Sequence, residues 1–198
     1  MDTCGPDCNI YPAHPHRFLS LATALPFGAL SACDNDTTVL VAFARIRRLP
    51  LLRKVYPVVI APPVVWKETR AKMHEWDGWW QPGMARWITG WLIVARPRDK
   101  AAIRQLLKDN SALDRGEAEA IVLALELEAS TILTDDGAAR DQAEALGLDY
   151  TGTIGILFTA KERGFIATIE PLLKKMRATR FSISKALYER TLRRAGEL

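Results

Sequence analysis

The stretch LDRGEAEAIVLALELEASTILTDDGAAR, residues 113–140, carries a capped helix, a buried strand and the start of a second helix, in that order. Asp114 and Glu117 stand three apart, in the positions of a capping box, where each side chain can satisfy the other's unpaired backbone N–H. Glu117 then heads the stripe Ala120, Ile121, Ala124, at spacings of three, four and seven, which predicts an apolar helix over 114–128 with Glu117 on its inner face. Thr131-Ile132-Leu133-Thr134 is too short for a helix and rich in branched side chains, so it is expected as a strand. Asp135-Asp136 close that strand and Gly137 to Leu146 is expected as the next helix.

Working outward, the same alternation continues. Thr38 to Ile46 has helical spacing, a short LLRKVY segment follows Pro50, and Val58-Val59-Ile60 has the signature of a buried strand. Pro62-Pro63 restarts a helix, because a first turn has no use for the missing N–H. Residues 75–90 are irregular, Gly90 to Ala95 is expected as a strand and 99–109 as a polar helix. Leu148 to Thr151 is a short strand, and helical stretches follow over about 153–162, 167–178 and 182–194. Strands separated by crossovers of a dozen residues pair in parallel, so the expected fold is α/β, a three-layer α/β/α sandwich with a central parallel sheet. Such sheets bind their ligands at the carboxyl ends of strands, where the strand order reverses.

The composition suits one cored domain. The chain has 198 residues, a formal charge of +4, 48% apolar and 25% charged residues. No apolar run approaches the roughly 20 residues that cross a bilayer. The charge is uneven: residues 161–198 are net +6 and the first 160 net −2, which suggests a polyanionic partner or an ordinary solvated helix face. Cys4, Cys8 and Cys33 all lie in the first sixth of the chain and cannot staple a core elsewhere, so a reducing, cytoplasmic setting is expected. Residues 1–28 are expected as a disordered extension. Leu30-Ser31-Ala32-Cys33 looks like a lipobox, but Asp2 and Asp7 against one Arg make a poor export signal. Cys4, Cys8, His14 and His16 match no common zinc spacing.

The acids at strand ends bear the chemistry. Asp34 and Asp36 precede the first helix, and Asp135 and Asp136 follow a later strand; each can also serve simply as a helix cap. Glu68, on a stripe with Val64, Val65 and Ala71, is expected to be at least half buried, and Glu119 competes with Glu117 for the inner face. Two carboxylates about 5 Å apart repel by roughly 3 kcal/mol at an effective dielectric near 20, so four that converge need a cation or raised pKa values. All-oxygen ligation favours Mg²⁺ or Mn²⁺ over zinc, and the chemistry then open is phosphodiester hydrolysis.

Four runs carry a family resemblance: DTTVLVAFARIRRLPLLRKVY (36–56), VVIAPPVVWKE (58–68), the stretch 113–140 quoted first, and GLDYTGTIGILFTAKERGFI (147–166). Together they resemble the PIN-domain family, in particular its uncharacterised members akin to VapC-type toxins, over about residues 29–195. GEAEAIVLA, LTDDGAAR and GTIGILFTAKERG are the most specific parts. The resemblance implies residues 29–198 as one PIN-like domain and a Mg²⁺- or Mn²⁺-dependent ribonuclease acting on single-stranded RNA. It places the catalytic acids at Asp36, Glu68, Glu117 and Asp136, with Asp36, Glu117, Asp136 and Asp135 as metal ligands. It also places Thr38, Arg140 and Lys161 near the substrate, a salt bridge to a nearby acid being the alternative for the two cations. The DND triplet at 34–36 leaves Asp34 and Asp36 both open as the first acid.

Six tryptophans lie between residues 66 and 91. They suit a satellite core under a long loop, or a partner surface for an antitoxin or a homodimer contact. Two functions follow: a metal-dependent endoribonuclease, the toxin of a toxin–antitoxin pair, or a catalytically silent PIN-like module that binds RNA or protein.

Overall fold

The computed structural model describes residues 32–34, 37–74, 90–179 and 181–198. Residues 1–31, Asn35, Asp36 and most of the tryptophan-rich segment, with Trp76, Trp79, Trp80 and Trp87, lie outside the described residues.

Among the described residues five short strands form one sheet: β1 (Ala32–Asp34), β2 (Val59–Ala61), β3 (Leu92–Val94), β4 (Ile132–Leu133) and β5 (Tyr150–Thr151). Their order across the sheet is β3-β2-β1-β4-β5, and every neighbouring pair is parallel. Helices supply the crossovers that parallel pairing requires. Helices α1 (Thr37–Arg45) and α2 (Leu49–Val55) join β1 to β2, and α3 (Pro63–His74) precedes β3. Helices α4 (Lys100–Asp109) and α5 (Arg115–Glu126) lead to β4, and α6 (Gly137–Ala145) to β5. Helices α7 (Thr153–Glu162), α8 (Glu170–Ala178) and α9 (Lys185–Ala195) complete the chain.

The chain builds outward from β1 to β3, then returns to lay β4 on the opposite side of β1. The strand order therefore reverses between β1 and β4, where Asp34 is in register with Leu133. Asp34, the last residue of β1, thus stands beside the end of β4, from which Thr134 to Asp136 leave the sheet, the two strands being about 5 Å apart in the pairing direction. Ala32 and Cys33 lie in this central strand, with Cys33 paired to Ile60 on one side and Ile132 on the other.

Strand residues alternate between two cores, as a period of two requires. Val59, Ala61 and Leu133 join a cluster with Phe43, Leu52, Leu157 and Leu173, whereas Ile60 and Ile132 join Ile121, Leu123, Ala139 and Ala143. Helix α5 is buried continuously from Glu117 to Ala124, and alanines at 118, 120 and 124 let neighbours approach it closely. Among the described residues no helix is long and apolar enough to cross a membrane.

Three expectations change. Trp91 belongs to the main core rather than to a satellite one: it is 1% exposed and its Nε1 donates to the Tyr56 carbonyl at 2.8 Å, while Trp66 packs half-buried against the same cluster. Glu68 is exposed, not half buried, because α3 turns Val65 and Thr69 inward instead. Helix α8 starts at Glu170 rather than 167. Its first N–H groups are capped by a residue from the far end of the chain, the Glu197 carboxylate, which accepts from Ile169 N and Glu170 N at 2.8 Å.

Candidate functional site

The turn after β4 separates its two acids. Thr134 is fully buried, and its hydroxyl accepts a hydrogen bond from Asp136 N at 3.1 Å. Asp136 caps α6, its Oδ1 accepting from Ala139 N at 3.0 Å. Asp135 turns to β5 and α7 instead: its Oδ1 accepts from Thr153 N at 2.9 Å and from Arg140 Nη2 at 3.3 Å, and its Oδ2 from the Thr153 hydroxyl. Arg140 also donates from Nε and Nη2 to the Thr134 carbonyl, at 3.2 and 3.1 Å. This network closes around Gly152. A Cβ there would lie 2.5 Å from Arg140 Nη2, 3.0 Å from the Thr134 carbonyl and in collision with Asp135.

Glu117 stands in the first turn of α5 and completes the capping box, with Oε2 accepting from Asp114 N and Asp114 Oδ1 from Glu117 N, both at 2.8 Å. Glu119, its competitor, is also largely buried but is paired to the exposed Arg115 at 2.8 Å. Asp36 lies outside the described residues, as does the side chain of Asp34. Lys161 takes the salt-bridge alternative: its Nζ donates to Glu197 Oε1 at 2.6 Å and to the Ala195 carbonyl at 2.7 Å. Arg140 likewise pairs with Asp135.

A cavity of about 760 Å³ opens at the carboxyl ends of β4 and β5. Asp135, Arg140, Gly152 and Thr38 line it, and Arg45 from α1, Lys72 from α3 and Arg194 from α9 join them. Sequence reasoning passed over Arg45 and Lys72 and counted Arg194 only within the basic region 161–198. Arg45 was within reach, since Thr38, Val41, Ala42 and Arg45 fall on one helical stripe and all four line the cavity. Lys72 stands one turn beyond Glu68, whereas Arg194 comes from the far end of the chain, and no local pattern points to it. Its guanidinium stacks on Phe158, 4.5 Å from the ring centre. A smaller cavity of about 360 Å³, between α2 and residues 165–172, has no carboxylate in its lining and therefore none of the predicted acids.

Among the described residues no three His, Cys, Asp or Glu side chains gather as a metal site. The acids at the switch point are nonetheless hard oxygen donors, the set that suits Mg²⁺ or Mn²⁺. A parallel α/β sheet whose strand order reverses, with a cavity at the carboxyl ends of β4 and β5, defines the class of protein. Within that class the chain belongs to the PIN-domain family: residues 35–197 match the family model described as PIN domain. PIN domains are generally nucleases and generally depend on a divalent metal. Comparison with the curated proteins gives no match.

Proposed function

We propose that this chain is a metal-dependent endoribonuclease that cleaves RNA at the cavity beside β4 and β5. One observation carries the reading: the strand order reverses where acids leave both β1 and β4, and beside that point lies a cavity ringed by Arg45, Lys72, Arg140 and Arg194. Carboxylates that hold a cation and guanidinium groups that hold phosphate are the two parts a phosphodiester hydrolase needs. Asp36 (or Asp34), Glu117 and Asp136 would hold the ion, Mg²⁺ or Mn²⁺. When bound, it supplies activation of water and stabilisation of the leaving oxygen. Thr38 and Arg140 contact the strand, with Lys72 and Arg194 along its path, whereas Lys161 acts within the fold. Glu68, exposed and one turn before Lys72 on α3, is the remaining catalytic acid of this reading. The two cores taken up by alternate strand residues support a three-layer sandwich.

The same reading makes the chain a cytoplasmic toxin held by an antitoxin, in a homodimer. A second reading, a silent PIN-like binding module, is favoured by the structural duties of the acids: Asp136 caps a helix and Glu117 closes a capping box. RNA cleavage in Mn²⁺ by the parent chain and by Asp136→Asn separates the two. Asn caps a helix as well as Asp does, so the fold is retained. The expected result is cleavage by the parent and a loss of 100-fold or more in the variant. Equal activity in both removes the nuclease assignment, and RNA binding without cleavage selects the silent module.

A further inference from the structure

Asp135 is the acid most exposed to misassignment, because it follows a strand at the switch point and lines the cavity, as a metal ligand would. We infer that it is a positioning residue that fixes Arg140 as a phosphate contact, and not one of the ligands of the ion. The inference rests on the ribonuclease reading of this cavity and assigns a role within it.

Both carboxylate oxygens of Asp135 are already engaged. Oδ1 is shared between the Thr153 backbone N–H and Arg140 Nη2, and Oδ2 accepts from the Thr153 hydroxyl, on a residue with no exposed surface. An ion at this carboxylate would have to share Oδ2 with the Thr153 hydroxyl or displace the Oδ1 bonds, and in either place it would lie close to the like charge of the Arg140 guanidinium in a partly buried setting. Among the described residues Arg140 is held along one edge, where Nε and Nη2 reach the Thr134 carbonyl and Asp135. Its side chain is 37% exposed and lines the cavity. A guanidinium fixed on one edge beside open space is prepared for a phosphate oxygen, because little rotamer freedom remains to be lost on binding.

Gly152 is an independent sign that the pair is built to one geometry. Its φ of −109° is open to any residue, so its backbone does not require glycine; space does. A single methyl group would press on Asp135 and Arg140 together. Gly152→Ala therefore displaces the Asp135–Arg140 pair while every carboxylate of the chain is kept.

Binding of a labelled single-stranded oligoribonucleotide in excess EDTA reads this role apart from metal binding. Asp135→Asn, which keeps an acceptor for Thr153 N but loses the charge that draws Arg140, is expected to weaken binding about tenfold. Gly152→Ala is expected to match it. Thr153→Ser, which preserves both bonds to Asp135, is expected to bind as the parent does, with thermal melting confirming that all three fold. Parent-like affinity for Asp135→Asn in EDTA, with a tenfold loss of Mn²⁺ affinity by calorimetry, overturns the inference and makes Asp135 a ligand. Failure of the parent to bind RNA in EDTA overturns Arg140 as a phosphate contact. Failure of the parent to cleave RNA counts against the ribonuclease reading alone, since the binding arms do not depend on turnover.

Discussion

Glu117 holds a structural and a chemical position at once, and the two can be separated at the level of one atom. Its Oε2 accepts the Asp114 N–H in the capping box, and the residue is only 7% exposed. Glutamine fills this box position as well as glutamate does. Glu117→Gln is therefore expected to leave the urea midpoint nearly unchanged while RNA cleavage falls 100-fold or more. Asp114→Ala should do the reverse, losing about 1 kcal/mol of stability with activity retained per folded molecule. A Glu117→Gln protein that cleaves as the parent does would leave this residue a helix cap and nothing more. The capping roles of Glu117 and Asp136 were legible in the sequence because a cap is local, set by residues two or three positions away. The exposure of Glu68 was not, because the covered face of α3 depends on α1, which packs against it.

At the scale of elements, three helices are joined by the last residues of the chain. Gly196 adopts a left-handed conformation (φ 69°) that ends α9 and turns the chain back, which glycine allows without a Cβ clash. Glu197, with 8% of its side chain exposed, then caps α8 and pairs with Lys161 of α7. Burial alone would raise its pKa. The Lys161 hydrogen bond, the N–H groups of Ile169 and Glu170, and the Lys161 charge outweigh that and hold it below the usual carboxylate value. A depressed carboxylate pKa contributes stability that is present above the unfolded value and lost as pH falls through the folded one. Unfolding in urea should thus show stability dropping below about pH 4.5. Glu197→Gln should lower stability by about 2 kcal/mol at pH 7 and flatten that acid limb. An unchanged acid limb in the variant would assign the pH dependence to other carboxylates. A helix over roughly 153–162 was legible from its own residues. That Lys161 pairs with Glu197 was not, since that partner stands 36 residues away.

Across the whole molecule, the uneven charge meets the cavity at one place. Residues 161–198 are net +6, and from that part Arg194 reaches the wall that Arg45, Lys72 and Arg140 share. Each phosphate bound on a single strand contributes about −0.7 to the slope of log affinity against log salt. Three or four contacts predict a slope of about −2 to −3, and Arg194→Gln should reduce its magnitude by about 0.7 in an anisotropy titration. A slope near zero would mean that this wall does not meet the phosphates. The sequence by itself determined the parallel α/β fold, the order of its helices and strands and the membership of a PIN-domain family, because periodicity, capping spacings and local motifs depend on near neighbours. Only the tertiary structure decided which charges share a cavity, that Asp135 clasps Arg140 and Thr153 while Asp136 caps a helix, and that Trp91 fills the main core. Those facts depend on which distant segments the sheet and its packing bring side by side, and no local spacing encodes that.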